Sequence, residues 1–477
     1  MALQPIPRRT HGDLGGDFFD VVAPAAFPAQ ILRFRNDRWA KRVGLASLDD
    51  AAWLGHFAAF EPLSGSFERP LALRYHGHQF RVYNPDIGDG RGFLFAQLED
   101  LEDGRLLDLG TKGSGQTPYS RSGDGRLTLK GGVREVLSTA LLEARGVYTS
   151  KSFSLVETGE ALYRNDEPSP TRSCVLVRLS HSHIRFGSFQ RQYVTDRVDN
   201  IEGLLRHTVR HYFGDLDPTA EPGALAVAFL ARVAARTART AAAWTAAGFV
   251  HGVLNTDNMN VTGESFDYGP YRFLPTMDPD FVAAYFDHSG LYAFGRQPEA
   301  CGWNLEQLAV CLTPLAEVEA LNAALSGYGA AFGNALVERL GARLGIVPPG
   351  DPADRQALVE TVFGVLQVTQ LPFERLFFDW YGGVASRERA LASPSAEVYN
   401  GGAFAPLREI LLAAEPVPGI GERLALPYFR GGEPVTLLYD EIEALWAAIA
   451  NDDDWGPFDA ALAAIDRARQ AMEVVPP

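Results

Sequence analysis

Two polar loops, nine residues apart, set the tightest limit on how this chain can fold. The first reads His251-Gly252-Val253-Leu254-Asn255-Thr256-Asp257-Asn258, and the second Asp267-Tyr268-Gly269. They follow an alanine-rich stretch, Ala224 to Ala247, whose composition predicts one long helix, with Gly248 placed to stop it. An Asp-Asn pair and an Asp-x-Gly so close together, on loops behind a helix, are hard to explain as core or turn residues. Amide and carboxylate oxygens are hard donors of the kind Mg²⁺ prefers while keeping some waters. Asn258 and Asp267 are therefore the candidate metal ligands. Asp257 is the nearby carboxylate of the first loop able to accept a proton.

Upstream, the pattern is β. Gly88-Asp89-Gly90-Arg91-Gly92 is a glycine loop, and Phe93 to Leu98 alternates as a strand does. Glu102-Asp103-Gly104 signals a turn, and Arg105 to Lys112 reads as the returning strand. Glycines let backbone N–H groups approach phosphates, although a plain hairpin turn would look the same. A second glycine-rich loop, Gly113 to Gly125, contains Asp124 and Gly125; it can close over a nucleotide or simply be a flexible loop. A helix follows from about Gly132 to Arg145, with Gly146 at its end and Glu135 near its start. Lys112 at a strand end and Glu135 on the next helix fit a phosphate-binding lysine held by a glutamate, with Arg134 as a competing partner. A surface lysine and a solvated acid are the plainer alternative. Two more strands are expected at Ser152 to Val156 and Cys174 to Leu179. Arg178 and Arg185 flank the end of the second, where guanidinium groups can grip phosphate oxygens in pairs of N–H bonds or serve as ordinary ion-pair residues.

The remaining histidines invite bland readings. His207 and His211 stand one helical turn apart, but no Glu or Cys nearby completes a metal site, so exposed helix positions are expected. His76, His78, His181 and His183 read as loop or packing residues.

Composition bounds the rest. At 477 residues the chain predicts two lobes or domains, and beyond Asn304 the pattern is mainly helical. A net charge of −16 argues against a nucleic-acid partner, yet a few local cations can still hold a triphosphate. Lysine occurs only at 41, 112, 130 and 151, which leaves few candidates for a lysine with a special task. Cys174, Cys301 and Cys311 form no metal-ligand pair and no disulfide framework. The start shows neither a secretory signal nor a transit peptide, and no apolar run approaches the roughly 20 residues of a membrane span. A cytoplasmic bacterial protein with no membrane partner is expected.

The order of parts, glycine loop, lysine, helix glutamate, then a helical half with two functional loops, is that of a protein-kinase-like α+β fold with two lobes. Small-molecule kinases of this fold carry His-Gly-Asp-Leu-x-x-x-Asn before the metal loop. His251, Gly252, Leu254 and Asn258 match that spacing, but Val253 stands where the base aspartate belongs. The combination of Tyr75-His-Gly-His-Gln-Phe80, Gly88-Asp-Gly-Arg91, Gly110 to Arg121, His251 to Asn260 and Phe266-Asp-Tyr-Gly-Pro270 resembles the selenoprotein O (YdiU) family, with the likeness running from about residue 55 to 312. The resemblance implies a pseudokinase in which ATP sits flipped and AMP is transferred to Ser, Thr or Tyr hydroxyls of proteins. It implies nucleotide contacts from Gly88, Gly90, Arg91, Lys112, Asp124, Gly125, Arg178 and Arg185, with Glu135 pairing with Lys112. It also implies Mg²⁺, or alternatively Mn²⁺, at Asn258 and Asp267, and Asp257 as proton acceptor. Transfer of UMP from UTP, an ordinary kinase activity and a non-catalytic nucleotide-binding scaffold are the alternatives. The expected division is an extension at 1–70 packed on the core, a β-rich lobe at 71–190 and a helical lobe at 191–477.

Two departures from the family pattern stand out. The chain ends Val474-Val-Pro-Pro477 without the family's Cys or selenocysteine, and Ala283 takes the place of a cysteine common after the metal loop. Redox control through that pair is therefore not expected here. Residues beyond about 330 match poorly, predicting a shortened or rebuilt C-terminal lobe.

Overall fold

The computed structural model describes residues 4–165 and 167–472. The C-terminal Val474–Pro477 lies outside the described residues.

A nine-stranded antiparallel sheet organises the first 180 residues. Its strands are β1 (Pro7–Arg8), β2 (Phe19–Val21), β3 (Ile31–Arg35), β4 (Leu71–Leu73), β7 (Leu94–Glu99), β8 (Leu106–Lys112), β9 (Leu127–Thr128), β10 (Lys151–Leu162) and β11 (Thr171–Ser180). The order across the sheet is β2-β4-β7-β8-β11-β10-β3, with β1 on β7 and β9 on β11. A separate hairpin, β5 (Gly77–Gln79) and β6 (Val82–Asn84), is inserted between β4 and the glycine loop. Residues 1–70, expected as an extension packed on the core, supply three strands of this sheet. They also supply α1 (Asp37–Arg42) and α2 (Asp50–Phe57).

The period-two pattern of the strands decides what faces the site. On β11, Val175, Val177 and Leu179 pack with Trp39, Trp53 and Phe57 of α1 and α2, while Cys174 and Leu176 face the other way, toward α3 (Leu129–Ala144). Arg178 shares the α3 face. Lys112 lies opposite Leu176 and Gly110 opposite Arg178 in the β8–β11 register, so all these residues emerge on one side of the sheet. α3 starts where Thr128 Oγ1 accepts from Gly131 N–H at 3.2 Å, and Leu129, Val133, Val136, Leu137 and Leu141 bury its inner face.

The rest is helical: α4 (Phe186–Val194), α5 (Val198–Tyr212), α6 (Pro222–Ala246), α7 (Gln297–Leu312) and further helices to Met472. α6 has Pro222 in its first turn and is capped by Glu221, which accepts from Gly223 and Ala224 N–H at 2.9 and 3.1 Å. Its alanine bias lets the helix Tyr328–Leu344 approach closely. Between α6 and α7 run the two functional loops, flanked by the two-residue strands β12 (Phe249–Val250) and β13 (Arg272–Phe273). The last helix, Gly456–Met472, returns to pack on α3, and Lys130 pairs with Glu443 at 2.8 Å beside it.

His207 departs from its expected place at the surface: it is 5% exposed, with its ring 6.3 Å from that of His11. The N-terminal segment folds back over α5 and covers the helix face that periodicity alone left open. The three cysteines are free and buried. No helix among the described residues is long and apolar enough to cross a membrane.

Candidate active site

One cleft of about 490 Å³ gathers Gly88, Gly90, Arg91, Lys112, Asp124, Gly125, Arg178, Arg185 and Asp267. Seven lysine or arginine side chains and three carboxylates line it, on a chain whose net charge is −16. That local excess of positive charge suits a polyphosphate.

Lys112 at the end of β8 reaches across to α3, where its Nζ pairs with Glu135, and to the second loop, where it meets Asp267 Oδ1 at 2.7 Å. Arg134, the competing partner, turns away and donates to the carbonyls of Gly269 and Tyr271. Arg178 also donates to Asp267 Oδ1, at 3.2 Å, so both cations crowd the same oxygen. Burial pushes the Asp267 carboxyl up, but Lys112, Arg178, Arg185 and Arg91 outweigh it and hold the group well below the usual range. It stays ionised. Asp267 also sits at φ +67°, a left-handed conformation uncommon outside glycine, and such local strain gathers at functional sites.

Gly110 has a structural reason to lack a side chain. A Cβ there would stand 2.3 Å from His183 Nε2, in the space that the imidazole fills. Arg185 is 4% exposed and lies over the rings of Tyr75 (4.4 Å) and Phe266 (4.9 Å). It donates to the Asp257 carbonyl at 2.9 Å and pairs with Asp89 at 3.3 Å. Burial raises the Asp89 carboxyl, with Arg185 opposing.

The second glycine-rich loop folds onto the first. Thr117 Oγ1 donates to the Asp89 carbonyl at 2.5 Å, and Ser120 Oγ donates to the carbonyl of Gly90. Asp124 is tied to Arg164 of the β10–β11 connection at 2.8 and 3.1 Å.

The loop 251–258 is fastened from three sides. Gln297 of α7 holds His251 N–H at 2.9 Å and the Phe249 carbonyl at 2.8 Å, and Asn304 donates to the Leu254 carbonyl at 2.8 Å. His251 Nε2 lies 3.0 Å from the Phe266 carbonyl, joining the first loop to the second. From the hairpin β5–β6, His78 N–H donates to Thr256 Oγ1 at 2.7 Å and Phe80 N–H to Asn255 Oδ1 at 3.0 Å.

Three candidate residues do not line the cleft: Glu135, held behind Lys112, and Asn258 and Asp257 of the first loop. Asn258 is buried and donates from Nδ2 to the Val253 carbonyl at 3.0 Å, which leaves its carbonyl oxygen as the available donor to a cation. Asp257 is covered by the hairpin: a Cβ on Gly77 would stand 3.0 Å from its Oδ1. That oxygen has no hydrogen-bond partner, and burial pushes the carboxyl up to about 6, with Arg185 countering. Among the described residues, no group of three or more His, Cys, Asp or Glu side chains is arranged to hold a metal.

Several cleft residues have no signal in the sequence. Arg164 and Arg126 stand in no motif among the many arginines. Asp89 and Arg121 lie inside the quoted stretches, which gave them no role of their own. Tyr75 enters because it lies under Arg185.

Comparison with known proteins gives the family. The family model described as "Protein adenylyltransferase SelO" matches residues 7–392. A "Protein nucleotidyltransferase YdiU" of Synechocystis is 44% identical over 460 residues, covering 94% of each chain. One of Gloeobacter violaceus is 45% identical over 93% of this chain and 92% of its own, and one of Vibrio cholerae is 39% identical over 69% and 65%. The cyanobacterial relatives align across nearly the whole chain, so the poor match expected beyond about residue 330 does not hold for them, whereas the Vibrio match covers 69% of the chain and the family model ends at residue 392. Helices packed by apolar faces keep their fold without short motifs, so a likeness judged on motifs ends too early. With four fifths of its length matched by the family model and full-length relatives above 40% identity, the chain belongs to the SelO family of protein adenylyltransferases.

Proposed function

We propose that this chain transfers AMP from ATP to Ser, Thr or Tyr hydroxyls of proteins, with residues 71–190 and 191–477 acting as the two lobes of a kinase-like fold. The observation that carries the reading is the ion-pair chain Glu135–Lys112–Asp267–Arg178 inside a cationic cleft, next to a loop with Val253 in place of a base. A flipped triphosphate brings its α-phosphorus to the acceptor side. Lys112, Arg178 and Arg185 then meet phosphate oxygens, and backbone N–H groups of the loop 88–92 approach the chain of phosphates.

The donor set fits Mg²⁺. Asp267 is held ionised with Oδ2 outside its two ion pairs, and the Asn258 side chain exposes its carbonyl oxygen by spending Nδ2 on Val253. Two hard oxygens with room for waters and phosphate are what this ion takes, whereas zinc would ask for nitrogen or sulfur. When bound, the ion would neutralise charge on the phosphates; Mn²⁺ has the same ligand preference. Asp257, with its carboxyl lifted to about 6, is suited to take the acceptor's proton near neutral pH. The bond from the Arg185 guanidinium to the Asp257 carbonyl ties the base's position to the phosphate-binding arginine.

Incubation with α-labelled and γ-labelled ATP tests the reading. Label from the α position should reach protein and label from the γ position should not; the opposite result means an ordinary kinase. Competition by UTP, with Mg²⁺ or Mn²⁺, separates AMP from UMP transfer.

A further inference from the structure

A second cavity, of about 280 Å³, shares no lining residue with the nucleotide cleft. Three arginines line it, Arg105 at the start of β8 and Arg236 and Arg239 on α6, and no carboxylate does. Arg236 and Arg239 are three residues apart and so share a helix face. Arg239 is exposed, with no hydrogen-bond or ion-pair partner among the described residues. Arg236 spends two N–H groups on the Tyr212 carbonyl, both at 3.1 Å, and stacks 4.0 Å over the Phe213 ring, without meeting a carboxylate. Burial pushes its guanidinium down; Tyr148 and the more distant Asp215 oppose this, while the neighbouring Arg239 and Arg232 add to it. Arg105 is the anchored member, bound to Asp103 at 2.9 Å and to Tyr148 OH at 3.1 Å.

The remaining wall is polar and neutral. Tyr148 OH lies 2.5 Å from His181 Nδ1. Burial, Arg105 and Arg236 lower the His181 imidazole to about 3, so the ring adds no charge. Thr240 donates to the Gly263 carbonyl, and Thr262 to Asn260 Oδ1 at 3.0 Å. The cavity is therefore built against the tail of the loop that carries Asp257 and Asn258.

Two guanidinium groups that pair with no carboxylate, in a cavity whose lining holds none, match the oxygens of a phosphoryl group. We propose that this cavity is a second anion site, binding a small phosphorylated anion between α6 and the β7–β8 hairpin. It stands independently of how the nucleotide cleft is read.

The test is calorimetric titration of the full chain with pyrophosphate after the cleft has been saturated with a non-hydrolysable ATP analogue. One binding event should persist. It should weaken at least about tenfold in Arg239→Ala, the loss of one charged donor, and vanish in Arg239→Glu. Because Arg239 is exposed and unpartnered, both variants should keep the wild-type circular dichroism and melting temperature. Repeating the titration with ADP tells a nucleotide ligand from a bare phosphate: equal or tighter binding assigns the nucleotide, weaker binding the free anion. Absence of any event once the cleft is filled, or unchanged affinity in Arg239→Glu, would overturn the proposal.

Discussion

Lys112→Met strips the charge from a buried ion pair while keeping much of its bulk. The Lys112 and Glu135 side chains are 6% and 2% exposed, and Glu135 Oε2 already has no hydrogen-bond partner. Removing the ammonium leaves the glutamate without its counter-charge, at a cost of ~3–5 kcal/mol for breaking one side of a buried pair. Asp267 is partly exposed and keeps Arg178 at 3.2 Å, so it adds little to that loss. Replacing both partners, as in Lys112→Met/Glu135→Leu, should recover most of the stability, because an apolar pair of similar volume avoids the desolvation penalty. Activity should not follow: both variants lack the cation that meets the phosphates. Urea unfolding followed by tryptophan fluorescence, run beside transfer of label from α-labelled ATP, separates the two effects. A single variant within ~1 kcal/mol of wild type would refute the burial argument. Transfer restored in the double variant would refute the role given to Lys112.

Three further outcomes are expected. Asp257→Ala should lower turnover by about 10²–10⁴-fold with ATP affinity nearly unchanged, measured by label transfer and by nucleotide titration; full turnover would remove Asp257 from the mechanism. Gly110→Ala should push His183 and the following Arg185 off their positions, costing ~1–3 kcal/mol of stability and weakening ATP binding, because the added methyl would lie 2.3 Å from the imidazole. Burial and its neighbours lower the His11, His181 and His207 imidazoles to about 4, about 3 and about 3. The unfolded chain therefore takes up protons below pH 6.5 that the folded chain refuses, and each such histidine costs stability as the pH falls. Between pH 7 and 5 each contributes a loss of about 2 kcal/mol, partly offset by Glu264, which burial raises to about 7. His207→Gln should lose less stability than wild type over that interval by about 2 kcal/mol, read from urea midpoints at the two pH values.

Much of the site was legible because its parts are local. The strand that ends at Lys112 runs Leu106–Lys112, and the helix bearing Glu135 runs Leu129–Ala144. Alternation on β11 alone puts Arg178 on the same face as Leu176. Other features depended on contacts between distant segments. The hairpin β5–β6 lies over Asp257 through Gly77, 180 residues away in sequence, and nothing in Tyr75 to Phe80 announces that position. Arg164 comes from a β-hairpin tip to hold Asp124, one arginine among many. His207 looked solvent-facing because helical periodicity describes one helix, not the N-terminal segment that returns to cover it.

By itself, then, the order of residues gave the strands β7, β8, β10 and β11, the helices α3 and α6, the chemistry available in the two loops and the family to which the chain belongs. These follow from backbone propensity, side-chain period and short spacings, all of which act over a few residues. Tertiary structure decided which charges meet. It set Lys112 between Glu135 and Asp267, turned Arg134 away, brought Arg185 to both Asp89 and the Asp257 backbone, and gathered Arg105, Arg236 and Arg239 around a cavity with no carboxylate in its lining. Those outcomes depend on desolvation and on distances between segments far apart in the chain, and such quantities exist only after the sheet and the helices have packed.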